Sequence, residues 1–250
     1  GALHAGHASL VARAARECDA IAVSIFVNPT QFGPQEDFSR YPRTLAADMA
    51  LLEPHGVTWV YAPEVTAGYP PGDATRCVVG GPAVPFEGER RPGHLAGVAT
   101  VVCRLFLAVP AHVAYFGAKD WQQTLVVKRM VRDLGLPIEI DVCPTVREAD
   151  GLAMSSRNAS LSGVERPRAA ALWESLRRAE QLGAAGADIP VIEQAMKEAL
   201  AAHAIAIDYA AVVHPESLEP LDTDAAGAVA LVAGRLGSTR LSDNLERSPR

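Results

Sequence analysis

Residues 99–143, ATVVCRLFLAVPAHVAYFGAKDWQQTLVVKRMVRDLGLPIEIDVC, decide the fold class. Ala99 to Val109 carries apolar residues at helical spacing, and Ala111 to Phe116 is a short apolar run of strand length. The order then repeats, with a helical pattern from Gln122 to Leu134 and a strand pattern from Ile138 to Cys143. Upstream the alternation is the same. Leu10, Val11, Ala14 and Ala15 recur at helical spacing within Ser9 to Cys18, and Ile21 to Val27 is rich in β-branched residues. Thr44 to His55 reads as a helix and Val57 to Ala62 as a strand. Helices alternating with apolar strands predict an α/β fold, a doubly wound parallel sheet with helices on both faces.

After Arg147 the texture changes. Glu165 to Leu182 and Pro190 to His203 are Ala-rich amphipathic helices, followed by strand-like runs at Ile205 to Val213 and Ala228 to Ala233. The expected organisation is a Rossmann-like domain over residues 1–145 and a smaller α+β domain over residues 146–250. Gly1 stands in what reads as a loop entering a helix, a position that a strand normally precedes. The expectation is that the first strand of the sheet is missing and that the chain is incomplete at its start.

The 250 residues are 49% apolar and 21% charged, ordinary for a packed globular chain. The formal charge of -6 comes without acidic or basic blocks. This argues against a nucleic-acid or anionic-membrane footprint and for a small-molecule partner. Cys18, Cys77, Cys103 and Cys143 lie far apart, without C-x-x-C or metal-ligand spacing, and read as buried reduced thiols. No apolar run approaches the roughly 20 residues that span a bilayer. The expectation is a soluble cytoplasmic protein.

Two short motifs carry chemistry. Gly1, Ala2, Leu3, His4, Ala5, Gly6 and His7 place two imidazoles on a loop of small residues just before a helix. Unpaired N–H groups and the positive dipole end suit a phosphate chain there. An ordinary pair of histidines or a metal pair fits the same residues. The second motif, D-G-L-A-M-S-S-R-N from Asp150 to Asn158, joins two hydroxyls to a guanidinium that can clamp phosphate oxygens. A helix cap beside a surface charge fits it equally. Together the motifs resemble the layout of the adenylyl-transferring superfamily that includes the class I aminoacyl-tRNA synthetases.

Between them stand S-I-F-V-N-P-T-Q-F-G-P-Q-E-D-F (Ser24 to Phe38), Y-P-R-T (Tyr41 to Thr44), R-P-G-H-L-A-G-V (Arg91 to Val98) and Y-F-G-A-K-D-W-Q-Q (Tyr115 to Gln123). P-T-V-R-E-A-D-G-L-A-M-S-S-R-N follows from Pro144 to Asn158. With these the chain resembles the pantothenate synthetase (pantoate–β-alanine ligase) family, from its first motif to G-S-T-R-L-S-D-N at Gly237 to Asn244. The resemblance implies ATP-dependent joining of pantoate to β-alanine through an acyl-adenylate, with Mg²⁺ carried on the ATP phosphates, in a homodimer. It implies ATP contacts at Gly1 to His7, at Gly117, Ala118, Lys119 and Asp120, at Val146, and at Met154, Ser155, Ser156 and Arg157 on a mobile loop. It also implies His7 as the active-site histidine, with His4 and Lys119 beside it, Gln31 meeting both pantoate and β-alanine, and Gln123 meeting pantoate. The smaller domain would act as a lid. Ala5 and Ala118 stand where the family carries glutamate, and Trp121 where it carries phenylalanine or tyrosine. Two other readings of the residues are a related acid-adenylylating nucleotidyltransferase and an inactive nucleotide-binding paralogue.

Overall fold

A computed structural model describes residues 1–33, 38–221 and 227–247. Positions 34–37 of the Ser24 to Phe38 stretch lie outside the described residues. The chain forms two compact units, Gly1–Pro144 and Thr145–Arg250.

The first unit begins with α1 (Ala5–Glu17), β1 (Ala22–Ser24), α2 (Leu45–Leu52) and β2 (Trp59–Tyr61). Two single-turn helices follow, α3 (Val65–Gly68) and α4 (Glu87–Arg90). The unit ends with α5 (His94–Ala108), β3 (Val113–Gly117), α6 (Trp121–Leu134) and β4 (Glu139–Cys143). The α/β class and the parallel strand sense are those the apolar alternation predicts. β1 pairs with β2 from Ala22↔Trp59 to Ser24↔Tyr61, and β3 pairs with β4 from Val113↔Glu139 to Gly117↔Cys143. Among the described residues these are two separate parallel pairs rather than one continuous ladder.

Side chains of α1 tie that helix to the second pair. Tyr115 on β3 donates to Glu17 at 2.9 Å, and Arg13 reaches Asp141 on β4 at 3.1 Å. Successive strand residues face opposite sides, so Tyr115 packs on the cluster of Val11, Ala14, Ile21, Ile25 and Leu52. Phe116 joins the cluster of Leu95, Val98, Val126, Val127 and Met130.

α5 starts at His94, five residues before the expected Ala99, because the apolar face already includes Leu95 and Val98. Gly97 lies on that face, and glycine lowers helix propensity, which hides the early start in the sequence. Its presence is steric. A Cβ there would sit 2.3 Å from the Thr30 carbonyl oxygen and 2.8 Å from the Cα of Gln31.

The second unit contains α7 (Glu165–Ala169), α8 (Ala171–Ala184), α9 (Ile189–Ala202), β5 (Ala206–Val213), β6 (Val229–Leu236) and β7 (Thr239–Glu246). The strands form an antiparallel sheet in the order β5-β6-β7. Leu172, Leu176, Ile192, Met196 and Leu200 from the helices meet Ala210, Val212, Ala230 and Val232 from the sheet in one core. The expected helix from Glu165 to Leu182 is two helices, with the chain turning at Ala170.

All four cysteines are free thiols, but only Cys143 is buried; Cys18, Cys77 and Cys103 are half-buried, contrary to the expectation of four buried thiols. Among the described residues no helix is long and apolar enough to cross a membrane.

Candidate active site

The first turn of α1 is built around its two histidines. His4 is the N-cap, its Nδ1 accepting from the Gly6 N–H at 3.2 Å. His7 returns the arrangement, its Nδ1 accepting from the His4 N–H at 3.2 Å. This is a capping box in which imidazoles do what serine and glutamate usually do. Since each Nδ1 faces an obligate donor, a neutral ring carries its hydrogen on Nε2. The ring centroids lie 4.1 Å apart. The arrangement supplies two Nε2–H donors at a helix N-terminus, where an anion is also favoured by the dipole.

The loop leading into this turn is held by Asp48, a buried residue of α2. Its carboxylate accepts from the N–H groups of Leu3 at 2.8 Å and Ala2 at 3.1 Å, and from the Thr44 hydroxyl at 3.0 Å. Three donors satisfy a buried carboxylate that would otherwise be costly.

Gln31 lies in a 3₁₀ turn, Pro29–Gln31, capped by the buried Asn28. The Thr30 N–H, which can only donate, faces Asn28 Oδ1 at 3.3 Å, and the Gly97 carbonyl, which can only accept, faces Nδ2 at 3.1 Å. These two backbone groups fix the sense of the Asn28 amide. Its Nδ2 also donates to Gln31 Oε1 at 3.2 Å, so the Gln31 amide is fixed in turn and directs its Nε2 hydrogens away from Asn28. The Gln31 carbonyl accepts from His94 Nδ1 at 2.8 Å. His94 therefore holds the Gln31 turn in place.

Gly117 ends β3, and Ala118–Asp120 is a 3₁₀ turn entering α6. Lys119 Nζ pairs with Asp120 at 3.1 Å, and the Asp120 charge reaches His7. Gln123 is half-buried on the first turn of α6. Its neighbour Gln122 is buried and wholly structural, donating to the Pro82 and Pro85 carbonyls at 2.8 and 2.7 Å and accepting from the Glu87 N–H at 3.1 Å.

In the second unit, Val146 and Met154 are joined by the Met154 N–H donating to the Val146 carbonyl at 3.0 Å. Ser155 caps the 3₁₀ turn Ser156–Ser160, its hydroxyl accepting from the Arg157 N–H at 3.3 Å. The loop below them is anchored by Arg147, which grips the buried Asp243 with two nitrogens at 2.6 and 3.1 Å. The same guanidinium donates to the Gly151 and Asn244 carbonyls and lies 3.8 Å over the Trp173 ring.

The sequence profile of the family described as Pantoate-beta-alanine ligase matches residues 1–246. The chain belongs to the pantoate-beta-alanine ligase family. It is 53% identical to a pantothenate synthetase of Thermus thermophilus, covering 100% of this chain and 91% of that protein. A crystal structure of the Thermus enzyme superimposes with a TM-score of 0.97 at 52% identity, again covering 100% and 91% of the two chains. A pantoate-beta-alanine ligase from Francisella tularensis, solved with beta-gamma ATP and beta-alanine, gives a TM-score of 0.82 at 32% identity over 98% and 86% of the chains.

In this ligase chain the first unit brings His4, His7 and Asp48 together and places the Asp120 charge near them, while Gln31 has its own frame of Asn28, Gly97 and His94. Asp48 had a legible signal. It precedes Leu51 and Leu52 by three and four residues, so it lies on the apolar stripe of its helix, where an acid needs a reason. Asn28 stood in the quoted motif without a role, although Asn-Pro is the expected pair for a cap followed by a first helical residue.

Burial pushes the His7 pKa down from its ordinary 6.5 to about 4, helped by His4 and opposed by Asp120 and Asp48. The folded value lies below the unfolded one, so the unfolded chain binds the extra proton between them. The associated stability is present above pH 6.5 and falls as the pH drops to about 4, by about 3 kcal/mol in all. His7→Gln, which keeps an acceptor but cannot titrate, is expected to flatten that fall. Urea midpoints measured at neutral and acid pH check it, and equal slopes in both proteins would count against it.

Proposed function

We infer that the chain condenses pantoate with β-alanine at the expense of ATP, giving pantothenate, AMP and pyrophosphate through a pantoyl-adenylate. The observation that carries this reading is the pair of imidazoles opening α1, each tied through Nδ1 to a backbone N–H, in a chain of the ligase family. A carboxylate resists attack by an amine because oxide is a poor leaving group. Joining the acid to AMP supplies a better one.

In the first step a carboxylate oxygen of pantoate attacks the α-phosphorus, and the bond to the pyrophosphate oxygen breaks with its electron pair. Negative charge grows on the departing pyrophosphate. His7 and His4, as Nε2–H donors, and Lys119 stabilise that charge, with Ser155, Ser156 and Arg157 contributing to ATP binding. Gly1 to Gly6 offer close backbone approach to the phosphates, Gly117 to Asp120 and Val146 hold the remainder of the nucleotide, and Mg²⁺ enters on the ATP phosphates as part of the substrate. In the second step the amine of β-alanine attacks the acyl carbon, loses a proton and expels AMP.

Gln31 and Gln123 hold pantoate, and Gln31 also meets β-alanine. With its Oε1 engaged by Asn28, Gln31 offers donors to substrate oxygens. Gln31→Glu retains the acceptor for Asn28 but sets an anion against an anionic acid. The KM for pantoate is expected to rise about 10-fold or more with the ATP KM little changed. Steady-state kinetics with each substrate varied in turn check this, and an unchanged pantoate KM would remove Gln31 from the subsite.

The function itself is tested by supplying ATP, pantoate and β-alanine and following AMP and pyrophosphate. Both should appear in equal amounts, with pantothenate. Release of ADP, or turnover indifferent to β-alanine, would overturn the reading. The protein is proposed to work in the cytoplasm, supported by its four free thiols, and as a homodimer, supported by the family resemblance. Sedimentation at micromolar concentration tests the second point.

A further inference from the structure

The segment from Val146 to Asn158 supplies Val146 and Met154 to Arg157 to the proposed ATP site and leaves Asn158 without a role. The two hydrogens of its Nδ2 go to groups that can only accept, the Ala153 carbonyl at 3.1 Å and the Glu148 carboxylate at 2.7 Å. Those partners fix the sense of the amide. Ala153 and Asn158 are the residues on either side of Met154 to Arg157, so the first of these bonds closes a ring around the four-residue segment. Inside the ring the Asn158 N–H donates to the Ser155 carbonyl at 3.0 Å. Outside it, the other carboxylate oxygen of Glu148 accepts from Arg166 on α7 at 2.6 Å, and Arg166 also holds Asp150 at 2.6 Å.

We propose that Asn158 is a positioning residue for ATP, a staple whose carboxamide donors hold the Met154 to Arg157 turn in one conformation. The proposal rests on the reading that this turn binds ATP. Without the staple the turn populates other conformations, and ATP must order it on binding, which reduces apparent affinity by the fraction of the competent state. The role is one of donors, not of volume. That separates it from packing.

The test uses the full chain with Asn158→Ala, Asn158→Asp and, as a control, Arg157→Ala. Asn158→Ala is expected to raise the ATP KM about tenfold, with the pantoate and β-alanine KM values within about twofold of the parent. Asn158→Asp has nearly the same shape but no donors when ionised, so at about pH 8 it should be as impaired as the alanine variant. Beside Glu148 the introduced carboxyl holds a proton more readily, so its ATP KM relative to the parent should recover as the pH falls to about 6. The aspartate variant carries the test should the alanine variant not fold. An Asn158→Asp enzyme with the parental ATP KM at both pH values, beside an Arg157→Ala enzyme with a raised one, overturns the staple alone. An ATP KM unchanged in all three variants overturns the assignment of the turn to ATP, and the staple with it.

Discussion

Replacing His7 by alanine is expected to lower kcat by about 10²- to 10³-fold, the usual consequence of removing one oriented donor from a site of developing negative charge. The geometry says why the effect should fall on kcat more than on substrate KM. His7 is neutral, because burial holds its pKa near 4, and its Nδ1 is occupied by the His4 N–H, so its donor is set in place before any charge moves. A donor in place beforehand contributes most where charge is greatest, at the transition state. The alanine variant also releases the His4 N–H from its partner, at a cost of about 1 kcal/mol in stability, small enough for the chain to remain folded. Rapid-quench measurement of pyrophosphate release, with far-UV circular dichroism to verify the fold, checks the prediction. A kcat within a few-fold of the parent would show that His4 and Lys119 suffice.

The second large effect is on stability. Gly151 has φ +89°, a conformation that side chains rarely adopt, and a Cβ there would lie 1.9 Å from Cδ1 of Trp173. Trp173 cannot retreat without disturbing Arg147, whose guanidinium is stacked on it and locked to buried Asp243. Gly151→Ala therefore combines backbone strain with overpacking against a rigid ring and is expected to destabilise the second unit by about 3 kcal/mol or more. Urea unfolding followed by tryptophan fluorescence measures it, and a midpoint equal to the parent's would mean that the loop has room the geometry denies.

The sequence made the α/β alternation legible because helices and strands here announce themselves by apolar spacing. Val126, Val127 and Met130 are buried as the pattern of α6 requires, and Val113 to Gly117 pairs as a parallel strand should. What escaped was of two kinds. β7 was not expected, because its inward positions include Thr239 and Asp243, and a buried acid breaks the apolar code unless its partner Arg147 is known. Pairing was the other. Apolar runs identify strands but carry little information on which ladder each joins, and among the described residues the parallel strands of the first unit lie in two pairs. At the candidate site the histidines and the Ser-Ser-Arg turn stood out by residue type, while the roles proposed for them and for Gln31 came from the family resemblance. Of their supports, Asp48 and Asn28 left a local signal, an acid on an apolar stripe and an Asn-Pro cap, but what each holds could not be read, and Asn158 left none, since each acts on backbone or on another side chain brought near only by folding.

The grip of Asp48 on the first loop bears on how freely that loop can drift. Asp48 holds peptide N–H groups at Ala2 and Leu3, and the histidine caps also close on peptide N–H groups, those of His4 and Gly6. None of these bonds reads the side chain at positions 2, 3 or 5. Ala5 is exposed and stands where the family resemblance leads one to expect glutamate. Constraint is thus displaced from the loop proposed to meet nucleotide to a residue on another helix, 46 positions from Ala2, and variation in the two places should be tolerated very unequally.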